Sequence, residues 1–133
     1  MPTELQYLIS AVGLYLVMIV MQVVAAMMAR KASLSDLAGA RDNIPTDGVS
    51  PFHGRTKRAQ ANFTESMVMF VPLCLIAVYS NDTSSLTALG AVLFFYGRLA
   101  YVPCYYFGVP WLRTLVWAVS LVGILLFFVE LIR

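Results

Sequence analysis

Residues 5–29 read LQYLISAVGLYLVMIVMQVVAAMMA, a run of 25 residues without a charged side chain. At about 1.5 Å per residue, a helix of this length exceeds the roughly 30 Å of hydrocarbon in a bilayer. A cleaved signal peptide is the competing interpretation, but the chain opens with MPTE and carries no basic segment ahead of the run. The stretch therefore predicts a first membrane-spanning helix.

The composition of the whole chain agrees with that prediction. Of the 133 residues, 60% are hydrophobic and only 12% are charged, too few charges to cover a surface that faces water. These proportions exclude a disordered chain and an ordinary soluble domain, and two cysteines exclude a disulfide-stapled secreted module. A net charge of +2 without a basic run gives no indication of nucleic-acid binding.

Three further apolar segments follow the first. We therefore predict one domain over residues 1–133, an all-α integral membrane four-helix bundle. Residues 30–57 are rich in Asp, Gly, Pro and Asn, which predicts a loop, and Ser84 or Ser85 is expected to cap the third span. The four predicted spans are about 5–29, 58–79, 86–107 and 112–132.

Basic side chains predict the orientation in the membrane. They cluster at the loop between the first two spans and near the turn between the last two, while the opposite side has only Arg133 at its end. Because positively charged loops stay in the cytoplasm, we expect both termini to face outward. The clustered residues are Arg30, Lys31, Arg41, Arg55, Lys57, Arg58, Arg98 and Arg113.

Two polar stripes interrupt the apolar spans, at spacings that place each on one helix face. The first consists of Arg58, Asn62 and Glu65, and the second of Arg98, Tyr101 and Tyr105. At helical rise Glu65 lies about 10 Å and Arg98 about 13 Å inside the cytoplasmic boundary, so the stripes share one depth. We expect Glu65 and Arg98 to compensate each other, within a subunit or across an interface, beside a cleft that opens to the cytoplasm.

The stripes allow two interpretations. In the structural one, Glu65 and Arg98 form an ion pair that serves packing alone, while Arg58 and Arg113 reach the headgroups. In the functional one, the arginines bind carboxylates, Glu65 binds an ammonium group, and Asn62 and Gln60 bind amides. Residue chemistry then favours a small zwitterion with extra carboxylates, such as a short peptide.

The stretch RAQANFTE at residues 58–65, followed by Pro72, closely resembles the second-helix signature of the MAPEG family, the membrane-associated proteins in eicosanoid and glutathione metabolism. The stretch RLAYVPCY at 98–105, followed by Arg113, resembles the family's third-helix pattern and the arginine that opens its fourth helix. The likeness is to microsomal glutathione transferases, of a bacterial type, and covers nearly the whole chain.

The resemblance implies a homotrimer with a glutathione site at each subunit interface, near the cytoplasmic side of the membrane. Arg113 matches the arginine that activates the thiol, and Tyr105 would act with it in catalysis. The implied glutathione-binding residues are Arg30, Arg58, Gln60, Asn62, Glu65, Arg98, Tyr101 and Tyr105.

The implied activity is that of a membrane glutathione transferase, with glutathione peroxidase as a second activity. Glutathione would be the cosubstrate and no metal would be needed; the partners would be a lipophilic substrate and membrane lipid. A four-helix exporter is an alternative, although the arginines near Glu65 would hold that carboxylate ionised and so oppose proton exchange. A non-catalytic protein that binds glutathione or lipid is another.

Three other reactive side chains receive structural interpretations. Cys74 and Cys104 lie in separate spans without a zinc-ligand spacing, so we expect small buried hydrophobic residues. His53 is the only histidine, and its place in the polar segment predicts a solvated loop residue.

Overall fold

The structure, a computed structural model, describes residues 1–29, 33–42 and 44–133. Four of its helices are long and apolar enough to cross a membrane, which confirms the predicted all-α class and the four spans. A fifth, short helix lies in the connection between the first two spans. The helices are α1 (Thr3–Met28), α2 (Leu34–Ala38), α3 (Pro51–Tyr79), α4 (Ser85–Tyr106) and α5 (Pro110–Ile132).

Helix α3 begins at Pro51, seven residues before the predicted start of the second span. The Ser50 hydroxyl oxygen accepts the backbone N–H of His53 at 3.1 Å, and proline occupies the first helical position, where its missing N–H costs nothing. Residues 51–57 are therefore helical, and the prediction of a loop there was wrong.

The connection between α1 and α3 also contains the capped helix α2. The hydroxyl of Ser33 accepts the N–H of Asp36 at 3.2 Å, and the Asp36 carboxylate accepts the N–H of Ser33 at 2.9 Å. The Ser33 hydroxyl also donates to the carboxylate, at 2.9 Å. The hydrogen bonds that the carboxylate accepts, from the Ser33 backbone first and its hydroxyl second, lower the pKa of Asp36. The same device occurs at the start of α4, where Ser84 is the predicted cap.

Phenylalanine side chains join the long helices in a single core. Phe70 of α3 stacks on Phe94 of α4 with ring centres 3.9 Å apart, and meets the edge of Phe127 of α5 at 5.8 Å. Helix α1 packs on the same core through Tyr15, whose ring centre lies 5.6 Å from that of Phe63. All four phenylalanines are fully buried, so the core fixes the lateral positions of the spans.

Helices α4 and α5 are in backbone contact. A β-carbon added at Gly97 would lie 2.9 Å from the backbone nitrogen of Ser120 and 3.0 Å from the carbonyl oxygen of Val116. Gly90 faces Gly123 in the same way further along, so the two helices are antiparallel. This register brings the C-terminal turns of α4 beside the first turns of α5.

Most of the surface of the four spans is exposed in the single protomer. At most 39% of the apolar window of any span is buried within it. The remaining apolar surface suits lipid tails or neighbouring protomers, as expected for spans of an integral membrane protein.

A buried carboxylate ties three helices together at the end of the bundle where both termini lie. Glu4 of α1 is only 3% exposed, and its carboxylate accepts the Thr87 hydroxyl of α4 at 2.6 Å. The Cys74 thiol of α3 donates to the Glu4 carbonyl oxygen at 3.2 Å. Cys74 is therefore buried, as predicted, but it also forms a hydrogen bond.

Thr87→Val is expected to lower the free energy of unfolding in detergent by about 2 kcal/mol. The substitution removes a hydroxyl donor to a buried carboxylate and the acceptor for the Ser84 N–H, at nearly unchanged volume. Thr87→Ser keeps both hydrogen bonds and serves as the control. Equal unfolding midpoints for the valine and serine variants would contradict the assigned role.

Candidate functional site

The two polar stripes meet at a hydrogen bond between Arg98 and Asn62. Arg98 Nη1 of α4 donates to Asn62 Oδ1 of α3 at 2.6 Å. The Arg98 side chain enters the bundle rather than the lipid, since the residue is only 3% exposed. The predicted meeting of the stripes at one depth is therefore observed within a single chain.

Aromatic rings complete the surroundings of the Arg98 guanidinium. Its central carbon lies 5.0 Å from the ring centre of Tyr101 and 5.9 Å from that of Phe63, distances at which the rings attract the cation. Arg98 Nε is buried and has no hydrogen-bond acceptor among the described residues. One donor of this buried cation is thus left for a further partner.

Tyr105 lies between two other arginines. Arg58 Nε of α3 donates to the Tyr105 hydroxyl at 3.3 Å, while the Arg113 guanidinium of α5 lies 4.8 Å from the centre of its ring. The rings of Tyr105 and Tyr101 are 5.5 Å apart. The tyrosine pair therefore connects the three arginines, which come from three helices.

An open cleft of about 280 Å³ lies beside this group. The antiparallel register of α4 and α5 produces it, because the first turns of α5 face the last turns of α4. Thr114 and Trp117 were absent from the predicted site, although Trp117 follows Arg113 by four residues and so shares its helix face. The cleft is lined by Asn62, Tyr101, Tyr105, Arg113, Thr114 and Trp117.

Glu65 is not the partner of Arg98 within the chain. Its side chain is exposed, and it forms no ion pair with any residue that the structure describes. Asn62, one turn earlier on the same face, accepts the hydrogen bond from the Arg98 guanidinium instead. The predicted ion pair therefore does not form inside the subunit, and pairing across a subunit interface stays a prediction. Because asparagine is neutral, the Arg98 charge stays available to an anion.

One of the predicted glutathione residues lies on a different face of α3 from the arginine-rich cleft. Gln60 follows Arg58 by two residues, about 200° around the helix, and lines a separate cavity against α1. Arg30 lies outside the residues that the structure describes. One protomer therefore brings together Arg58, Asn62, Arg98, Tyr101, Tyr105 and Arg113, with Glu65 on the adjoining surface.

His53 corrects another prediction. The residue is 4% exposed in the first turn of α3, and its Nδ1 accepts the backbone N–H of Val49 at 3.0 Å. It is buried because the connection folds back over the start of α3, a tertiary contact that the polar composition of the segment did not indicate.

The cleft is surrounded by basic side chains at one end of the bundle. Three guanidinium groups gather around it, and the only carboxylate on the stripe that carries Arg58 is the exposed Glu65. Arginine side chains recognise carboxylates through directional, charge-assisted hydrogen bonds.

The MAPEG family model matches residues 7–133, nearly the full chain. No curated protein and no solved structure matches the chain significantly. The family includes glutathione transferases and related membrane proteins. The four spans, the two joined polar stripes and this match show that the chain is an integral, multi-pass membrane protein that belongs to the MAPEG family.

Proposed function

We propose that the protein is a membrane-embedded glutathione transferase that attacks lipophilic electrophiles, with lipid hydroperoxides as a second class of substrate. The observation that carries this proposal is the arginine-rich cleft around Tyr105, in which three cations and two phenols converge at the end of an apolar bundle.

The side chains present fit glutathione, a tripeptide with two carboxylates and one ammonium group. Arg98 has a buried donor without an acceptor, and neither Arg58 nor Arg113 forms an ion pair among the described residues. These groups suit the carboxylates, while the unpaired Glu65 suits the ammonium group. Asn62 has amide donors left for the peptide, because Arg98 occupies only its oxygen.

Glutathione supplies a thiol, and the nucleophile is its thiolate, which is scarce at neutral pH because an ordinary thiol has a pKa near 8.5. Arg113 places a positive charge at the cleft and stabilises an anion there. Stabilising the anion by about 2.7 kcal/mol corresponds to about two pKa units, within reach of a charged donor in a water-poor site.

Tyr105 and Trp117 have different functions in this proposal. The Arg58 N–H engages the Tyr105 hydroxyl oxygen, which leaves the phenolic hydrogen free to donate towards an anion in the cleft. Trp117 presents an apolar surface on the lining, suited to a substrate that arrives from the bilayer.

We also propose a homotrimer with both termini outward and the cleft towards the cytoplasm. An ionised carboxylate that faces lipid is costly, and Glu65 is exposed on the surface of a span. A neighbouring subunit that covers this face would remove that cost. The basic residues concentrated at the cleft end support the orientation.

Glutathione binding and conjugation by the purified protein test the proposal. We expect ultraviolet absorbance from a bound thiolate and conjugation of an aryl halide. Glu65→Gln is expected to weaken glutathione binding by about tenfold, while Glu130→Gln, the same change at the opposite end of the bundle, leaves it unchanged. Binding without thiolate absorbance or conjugation would favour a non-catalytic binding protein, and no binding at all would overturn the proposal.

A further inference from the structure

A second cavity, of about 420 Å³, lies between α1, the α1–α3 connection and the first turns of α3. Its α3 wall consists of His53, Lys57 and Gln60, at helical spacings that place them on one face. That face is turned about 200° from the one that carries Arg58 and Asn62. Within the protomer the cavity is therefore separate from the arginine-rich cleft.

The polar part of the wall carries positive charge and hydrogen-bond donors. Arg41 and Lys57 contribute cations, and Gln22 and Thr46 add uncharged polar groups. No carboxylate from the described residues lines the cavity. Asp36, the acidic residue of α2, is engaged by Ser33 in the helix cap.

Two donors are held in defined positions. Because His53 Nδ1 accepts the Val49 N–H, the hydrogen of the neutral ring is on Nε2, which has no acceptor among the described residues. Arg41 Nε donates to the Leu37 carbonyl oxygen at 2.7 Å, which anchors the guanidinium and leaves its terminal NH₂ groups free to donate elsewhere.

The wall formed by the connection is packed against the bundle. Gly48 has a φ of +95°, and a β-carbon there would lie 2.7 Å from the backbone nitrogen of Gly54, so loop and helix backbones are in direct contact. Val49 and Leu37 are buried against Ala26 of α1. The connection is therefore held against the bundle by its own packing contacts.

The rest of the wall is apolar and belongs partly to a membrane span. Ile19 and Val23 of α1 line it together with Leu37 and Ile44, and Ile19 is 37% exposed at the span surface. A ligand that fits this wall has an anionic head next to an apolar chain. Free inorganic phosphate would contact only the polar part of the wall and leave the apolar part empty.

We propose that this cavity binds the phosphate group of an anionic membrane lipid through Arg41, Lys57 and His53. The acyl chains run along α1 past Ile19, and the headgroup lies under the connection. Basic pockets at the cytoplasmic ends of spans are suited to such headgroups. The cavity lies on a different face of the protomer from the arginine-rich cleft. It includes Gln60, one of the implied glutathione residues, but the phosphate is assigned to Arg41, Lys57 and His53 alone.

Lipid titration of the full-length protein in detergent, followed by native mass spectrometry, tests the site. The probes are short-chain phosphatidylglycerol, short-chain phosphatidylcholine and inorganic phosphate. Arg41→Asn with Lys57→Gln is expected to weaken phosphatidylglycerol binding by about 30-fold and to leave phosphatidylcholine binding unchanged. Asparagine is chosen because Arg41 has a φ of 63°, a conformation that asparagine tolerates well.

A matched substitution distinguishes binding in the cavity from a general electrostatic attraction of anionic lipid to the basic end of the bundle. Arg55→Gln removes one charge at the same end, but Arg55 donates to the Tyr106 carbonyl oxygen and does not line the cavity. We expect this variant to retain phosphatidylglycerol binding. Lys57→Gln alone leaves the connection intact and is expected to weaken phosphatidylglycerol binding by about fivefold. This single variant replaces the double variant as the test if the double variant does not fold.

Four outcomes would overturn the proposal. The first is an equal loss of phosphatidylglycerol binding in Arg55→Gln and Lys57→Gln, and the second is equal affinity for phosphatidylglycerol and phosphatidylcholine. Displacement of the lipid by inorganic phosphate at similar affinity would identify a free-phosphate site. Displacement by glutathione would assign the cavity to the thiol-binding site.

Discussion

Arg113→Ala is expected to lower the turnover number for glutathione conjugation by about 10²–10³-fold, with a smaller change in the KM for glutathione. The guanidinium lies 4.8 Å from the Tyr105 ring, on the lining of the cleft, where no described carboxylate neutralises it. Without this cation, formation of an anion in the cleft costs more free energy. Steady-state kinetics with an aryl halide provides the measurement.

The pH profile distinguishes loss of activation from loss of binding. A nearby cation lowers the pKa of a thiol, so its removal moves the rise in turnover to higher pH, by about two units. Arg113→Lys keeps the charge and should recover part of the rate, whereas Arg133→Ala, at the far end of α5, should leave it unchanged. An unaltered turnover number in Arg113→Ala would show that this arginine does not activate the thiol.

Gly123→Ala is expected to reduce the free energy of unfolding by about 3 kcal/mol. Its β-carbon would lie 2.5 Å from the Gly90 carbonyl oxygen and 2.8 Å from the Phe94 backbone nitrogen. Both neighbours are backbone atoms that cannot rotate away, so α4 and α5 must separate. Denaturant titration in detergent, followed by circular dichroism, measures the loss.

The same substitution at Gly13 of α1 provides the control. No heavy atom lies within 4 Å of a β-carbon added there, so alanine should be neutral or stabilise the helix by up to about 1 kcal/mol. Gly123→Ala should also lower activity, because the contact of α5 with α4 positions Arg113 beside Tyr105. Wild-type stability in Gly123→Ala would mean that the helices are not in backbone contact.

Local sequence signals predicted most of the fold. The apolar runs located four spans, and Ser84 was predicted as a cap at the start of α4 because a cap acts within one turn of its residue. The start of α3 was missed because residues 50–57 combine a Ser-Pro pair with Gly, Lys and Arg. This composition is typical of loops as well as of first helical turns.

Helical periodicity also predicted which polar residues share a face, but not which partners they meet. The spacing of Arg58, Asn62 and Glu65 places all three on one side of α3, yet only the packed structure selects Asn62 for Arg98 and leaves Glu65 exposed. His53 was assigned to solvent for the same reason, since its burial depends on a segment that folds back over it.

By itself, the sequence determined the number of spans, the two polar stripes and the resemblance to the MAPEG family, because helix formation and membrane insertion depend on neighbouring residues and on total hydrophobicity. Only the tertiary structure decided that Arg58, Arg98 and Arg113 meet around one tyrosine pair, and that a second basic cavity forms behind α3. These arrangements depend on the distance between helices. That distance is set by the glycine contacts of α4 with α5 and by the packed connection, which no local pattern records.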